Sequence, residues 1–172
     1  MYLTILDLVL VFIVFIFVAF GFAMGLVQTV GALVGVVLGA WLAGIYYDSI
    51  AVWLSPFMLG NDIMAKIVAF ILIFTIINRL SGLVFWIINK FFNILSIIPF
   101  AKSLNRILGA LLALVEGILT LGVILYFAGQ FEISEWWQGI ISGSIVAGWL
   151  IEMARILTPL LPQILDKVTS MT

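Results

Sequence analysis

Leu104-Asn105-Arg106-Ile107-Leu108-Gly109-Ala110-Leu111-Leu112-Ala113-Leu114-Val115-Glu116-Gly117 reads as the first half of a helix that crosses a membrane. Gly109, Ala113 and Gly117 recur every fourth residue and therefore share one helix face. Apolar side chains gain little by exchanging lipid for protein, so membrane helices associate through close backbone approach at such stripes of small residues. Within the same apolar run Glu116 carries a carboxylate, and Arg106 closes a basic stretch just before it.

The rest of the chain agrees with a membrane setting. Of its 172 residues, 66% are hydrophobic and 9% are charged, whereas a soluble domain keeps about a quarter of its residues charged. Such a chain cannot cover itself with polar surface, and the fold class it implies is an all-α integral membrane protein with the lipid bilayer as its surroundings. The net charge is −1 and no basic cluster occurs, which removes the electrostatic footprint that nucleic-acid binding needs. There is no cysteine and no histidine. Thiolate chemistry, disulfides, the commonest metal ligand and the commonest general base are thus missing, and the expectation is a protein that is not an enzyme and holds no cofactor or metal. The first basic residue is Lys66. A secretory signal needs a basic start, so residues 1–23 read as a retained span.

Hydropathy divides the chain, as a single domain over residues 1–172, into four spans at about 5–23, 26–46, 63–88 and 104–127, each near the roughly 20 residues that cross a bilayer core. Gly21 and Gly25 bracket a tight turn between the first two, which are expected to lie side by side as an antiparallel hairpin. Span two carries Gly31, Gly35, Gly39 and Ala43 at four-residue spacing, a second packing stripe for another helix of the chain or another copy, with a ligand or pore face as the lesser reading. The third span runs on as a long helix with an amphipathic end that Pro99 stops. A last segment, 144–157, sets Ser144, Gly148, Glu152 and Arg155 on one face and Ile145, Trp149, Met153 and Ile156 on the other, joined by Val146, Leu150 and Leu157. It is too short to span and reads as an amphipathic interfacial helix.

Lys90, Lys102 and Arg106 lie near span ends on one side, against Lys66 on the other. The positive-inside rule then makes the basic loop 89–106 cytoplasmic and both termini external. Arg79 and Glu116 are the costly residues, because a charge at mid-bilayer costs about 2.5–3.5 kcal/mol on insertion scales. Arg79 precedes Lys90 by roughly 16 Å of helix, and Glu116 follows Arg106 by roughly 15 Å. Their depths match, and an intramembrane polar pair is expected.

The chain resembles the colicin V production protein family, CvpA, small four-span proteins of the bacterial inner membrane. The resemblance rests on Asp7 preceding the first apolar run, on Gly21-Phe22-Ala23-Met24-Gly25-Leu26-Val27, on Leu104 to Gly117 with its Asn-Arg-x-x-Gly, and on Ser144-Ile145 with Pro159-Leu160-Leu161-Pro162. It implies a part in production or export of a peptide toxin and in envelope homeostasis. Assembly with itself or with other membrane proteins through the small-residue faces is the leading expectation. A small channel or transporter lined by Asn78, Arg79, Ser81 and Glu116 is the alternative.

Overall fold

The computed structural model describes residues 4–92, 101–131 and 135–160. Among the described residues six helices follow one another: α1 (Ile5–Met24), α2 (Leu26–Leu54), α3 (Asp62–Phe92), α4 (Ala101–Gly129), α5 (Glu135–Gly143) and α6 (Ile145–Ala154), with 3-10 turns at Ser55–Met58 and Arg155–Leu160. Helices α1 to α4 each contain a segment long and apolar enough to cross a membrane. The expected stop at Pro99, the middle of the basic loop and Pro162 lie outside the described residues.

Helices α1 and α3 start for local reasons. Thr4 and Asp7 form a reciprocal capping box at α1, the Thr4 hydroxyl accepting from the Asp7 amide at 3.2 Å and the Asp7 carboxylate accepting from the Thr4 amide at 2.7 Å. Asp7 therefore sits within the first turn of α1. Helix α2 runs eight residues past the expected end at Tyr46, because Tyr47 to Leu54 contains neither glycine nor proline; Pro56 then belongs to the 3-10 turn. At 29 residues α2 is about 43 Å long, more than the roughly 30 Å hydrocarbon core requires. Leu59 and Gly60, both left-handed, reverse the chain. Asn61 then caps α3 by accepting from the Met64 amide at 3.1 Å.

The bundle is two antiparallel pairs, and the expected pairing of α1 with α2 is not one of them. Helix α2 packs along α3 and α1 packs along α4, while α4 also touches α2. Although a single residue separates α1 from α2, they share little contact, which corrects the side-by-side hairpin. Gly25 has φ +88°, and this left-handed residue turns the chain so that α1 comes to lie on the small-residue face of α4. Toward the end of the bundle away from that turn, Phe70 stacks on Phe127 at 3.8 Å between ring centres, and Tyr47 meets Phe127 edge-on at 5.1 Å. These rings tie α2, α3 and α4 into one buried core with Val36, Ala40, Ala43 and Phe74.

Helix α6 is compatible with the amphipathic interfacial helix expected of this segment, and it also docks on the bundle. Its two expected faces are largely exposed, with Ile145, Trp149, Met153 and Ile156 on one and Gly148, Glu152 and Arg155 on the other, while Ser144 is buried. A third face, Ala147, Leu150, Ala154 and Leu157, is buried, and it packs on α4 and α1. Gly122 of α4 makes this possible, since a side chain there would strike the Leu150 carbonyl and the Ala154 methyl. Leu150 and Leu157 belong to the expected apolar side, whereas the small residues Ala147 and Ala154 carry little hydropathy signal and do not mark it as a docking face.

Candidate functional site

Close packing at the hairpin turn explains the strongest sequence block. Gly25 ends α1 and begins α2, and having no side chain it leaves the first amide of α2 without a local cap. Asn105 of α4 supplies the missing acceptor, its Oδ1 taking the Leu26 amide at 2.9 Å. In lipid an unsatisfied backbone group is costly, so an amide-accepting side chain is needed at this point. Arg106 lies over the Phe22 ring at 5.8 Å. Gly109 faces the backbone of Gly21 and Gly25, Ala113 faces Gly21, and Gly117 faces Phe17. The stripe Gly109, Ala113, Gly117 is thus the seat of α1, and Gly21 and Gly25 are its counterpart as well as a turn.

The second stripe faces α3. A side chain at Gly31 would meet Phe85, one at Gly35 would approach Asn78 Cα at 2.9 Å and Ser81 Cβ at 3.0 Å, and one at Gly39 would approach the Phe74 carbonyl at 3.0 Å. Ala43 is buried in the same seam. Both stripes are therefore covered within one copy of the chain.

Between the two pairs lies a cavity of about 470 Å3. Helix α1 gives it Ile16, Phe17 and Phe20, α3 gives Leu83 and Trp86, and the polar members are Gln28, Thr29, Asn78, Arg79 and Glu116. Two of these are held by backbone: Asn78 donates to the Ala32 carbonyl at 3.3 Å and Thr29 to the Gly25 carbonyl at 2.9 Å. Of the four expected lining residues, Asn78, Arg79 and Glu116 line the cavity, whereas Ser81 is turned to Gly35. Arg79 and Glu116 share this space without a contact ion pair. The salt bridges among the described residues are Lys66–Asp48 at 3.4 Å and Arg155–Glu152 at 3.0 Å. The reason is the bundle's pairing, because α3 and α4, which carry the two charges, barely touch. Gln28 and Thr29 were missed by the sequence reading; their signal was their position one turn after Gly25 on an otherwise apolar helix.

A second polar centre joins the ends of two helices. Asp7, fully buried, accepts from the Ser144 hydroxyl at 2.5 Å and from the Val146 amide at 2.9 Å, besides its bonds to Thr4. Ser144 in turn caps α6 through the Ala147 amide at 3.0 Å. One carboxylate thereby serves the positive ends of α1 and α6 together. Nothing in the sequence linked these two positions.

Four helices long and apolar enough to cross a membrane define a multi-pass, all-α membrane protein. Residues 6–155 match the family model described as colicin V production protein. The chain belongs to that family. No curated protein and no solved structure gives a match.

Proposed function

We propose that this is a non-enzymatic component of the bacterial inner membrane that supports the production of a colicin V-type toxin, and envelope homeostasis more broadly, by assembling with other membrane proteins. The family membership supplies the toxin connection. The observation that favours assembly over conduction is the packed aromatic seam of Phe70, Phe74, Phe127 and Tyr47, which fills the bundle beyond the cavity. With the small-residue stripes of α2 and α4 covered by the chain's own helices, partners would meet the outer, lipid-facing sides of α1 and α3, where Phe12, Phe15, Ile76 and Leu80 are exposed. In this reading the basic loop 89–106 faces the cytoplasm and both termini face outward. The natural absence of cysteine makes orientation easy to test: Ser103→Cys is labelled from the cytoplasmic side and Phe57→Cys from the outside, and the reverse pattern inverts the topology.

A channel or transporter is the second reading, favoured by the gathering of Asn78, Arg79 and Glu116 around one cavity. Protein reconstituted in liposomes separates the two. A sealed bundle, with toxin production surviving Glu116→Gln in cells that depend on this protein, supports assembly. Ion flux that disappears with Glu116→Gln, together with toxin production, overturns it.

A further inference from the structure

The geometry points to the cavity between α1 and α3 as a binding cleft for a zwitterionic phospholipid head, that of phosphatidylethanolamine, with Arg79 taking the phosphate and Glu116 the ammonium. This inference concerns the isolated protein and stands apart from its part in toxin production.

Three features carry it. The cleft faces the bilayer: α1 and α3 do not pack together among the described residues, and the flanking Ile16, Phe20, Leu83 and Trp86 are half-buried or exposed. A lipid molecule can reach it sideways without leaving the membrane, its chains lying along apolar walls. Next, its polar groups carry one charge of each sign, on different helices. A structural ion pair in low dielectric is stabilised by close contact and by added hydrogen bonds, yet Arg79 remains exposed, Glu116 is 8% exposed, and no salt bridge joins them. A ligand bearing a phosphate beside a primary ammonium satisfies both at once and adds no net charge to the membrane interior. The guanidinium fork suits phosphate oxygens, and a carboxylate accepts from an ammonium. An anionic lipid without an amine would leave Glu116 facing a like charge.

Size and depth fit as well. The volume of about 470 Å3 falls within the roughly 300–1,000 Å3 of small-molecule sites. Gln28 and Thr29, near the hairpin turn, line the same cavity as Glu116. Along α4, Glu116 lies eleven residues beyond Asn105, the residue at the turn, or about 16 Å. A head bound at the two charges is drawn about halfway across a core roughly 30 Å thick.

Gly82 provides the test. It lines the cleft, and a Cβ there would meet nothing within 4 Å, so Gly82→Leu is expected to extend into the cleft and fill it without displacing a packed helix. Detergent-purified protein is titrated with phosphatidylethanolamine or phosphatidylglycerol, and bound lipid is counted by native mass spectrometry. The unaltered chain is expected to retain phosphatidylethanolamine at least about tenfold better, the scale of one charge-assisted contact. Gly82→Leu abolishes the retention with the melting temperature unchanged. Arg79→Gln weakens both lipids, Arg79→Lys restores part of the loss, and Glu116→Gln levels the two. Equal retention of both lipids by the unaltered chain, or retention untouched in folded Gly82→Leu protein, overturns the proposal.

Discussion

The Asp7 carboxylate and the Ser144 hydroxyl, 137 residues apart in the chain, share a hydrogen bond of 2.5 Å. It holds the start of α6 against the start of α1, and the same carboxylate accepts the Val146 amide at 2.9 Å. Because Ser144 also caps α6, Ser144→Ala is expected to cost at least the roughly 1 kcal/mol of a lost N-cap. Asp7→Ala removes the acceptor for both Thr4 and α6 and is expected to cost more. Amide exchange at Val146 and Ala147 reports the event directly. Both amides should exchange faster in either variant while those of α2 keep their protection. Unchanged exchange in α6 would show that its docking rests on Leu150 and its apolar neighbours alone.

Asn105→Ala isolates the cap that α4 provides for α2. The lost acceptor should lower thermal stability in detergent by about 0.5–2 kcal/mol, the range for helix caps. Asn105→Asp keeps the oxygen that takes the Leu26 amide and should retain most of the stability. Equal losses from the two variants would mean that the side chain acts by filling space against Gly25 and not by accepting the amide.

How far these arrangements can be read from sequence differs by level. The spans follow from hydropathy because each apolar run is long enough to cross a bilayer and the interruptions at Gly25 and Ser55-Pro56 change the backbone. Helix partners follow from chain order for α2 with α3 but not for α1 with α4. Gly21 and Gly25 sit close enough in sequence to be understood wholly as a turn, yet their missing side chains also receive Gly109 and Asn105. On α3 no matching stripe exists to pair with Gly31, Gly35 and Gly39; instead Phe74, Asn78, Ser81 and Phe85 fill the groove, a complementarity of large against small that periodicity on one helix cannot assign. The depth match of Arg79 and Glu116 was legible from helical rise alone. The absence of a contact ion pair between them was not, since it depends on α3 and α4 belonging to different pairs.

The glycines should fall into two classes when given a side chain. Gly109→Ala drives a methyl group into the backbone of Gly21 and Gly25, which cannot yield as a flexible side chain would. This variant should be strongly destabilised, with α1 displaced from α4. Gly35→Leu should separate α2 from α3 for the same reason, given Asn78 Cα at 2.9 Å. At Gly148 of α6 nothing lies within 4 Å, and Gly148→Ala should stabilise by about 0.5–1 kcal/mol through reduced backbone freedom. Melting temperatures of the three variants decide the matter. A harmless Gly35→Leu would refute the packing role of the α2 stripe.

Arg79 and Glu116 are best separated by a double-mutant cycle. Residues in contact couple by about 0.5–3 kcal/mol, and a desolvated ion pair stands at the upper end. The two charges share a cavity but make no salt bridge, so the coupling between Arg79→Gln and Glu116→Gln should fall below about 0.5 kcal/mol in lipid-free detergent. Adding phosphatidylethanolamine should raise it, because the bound head then links the two side chains through its phosphate and ammonium. The same lipid added to the cycle built on Gly82→Leu should leave the coupling where it was. Strong coupling without lipid would mean that the helices close on a direct ion pair, and the cleft would then have no charges left to offer a ligand.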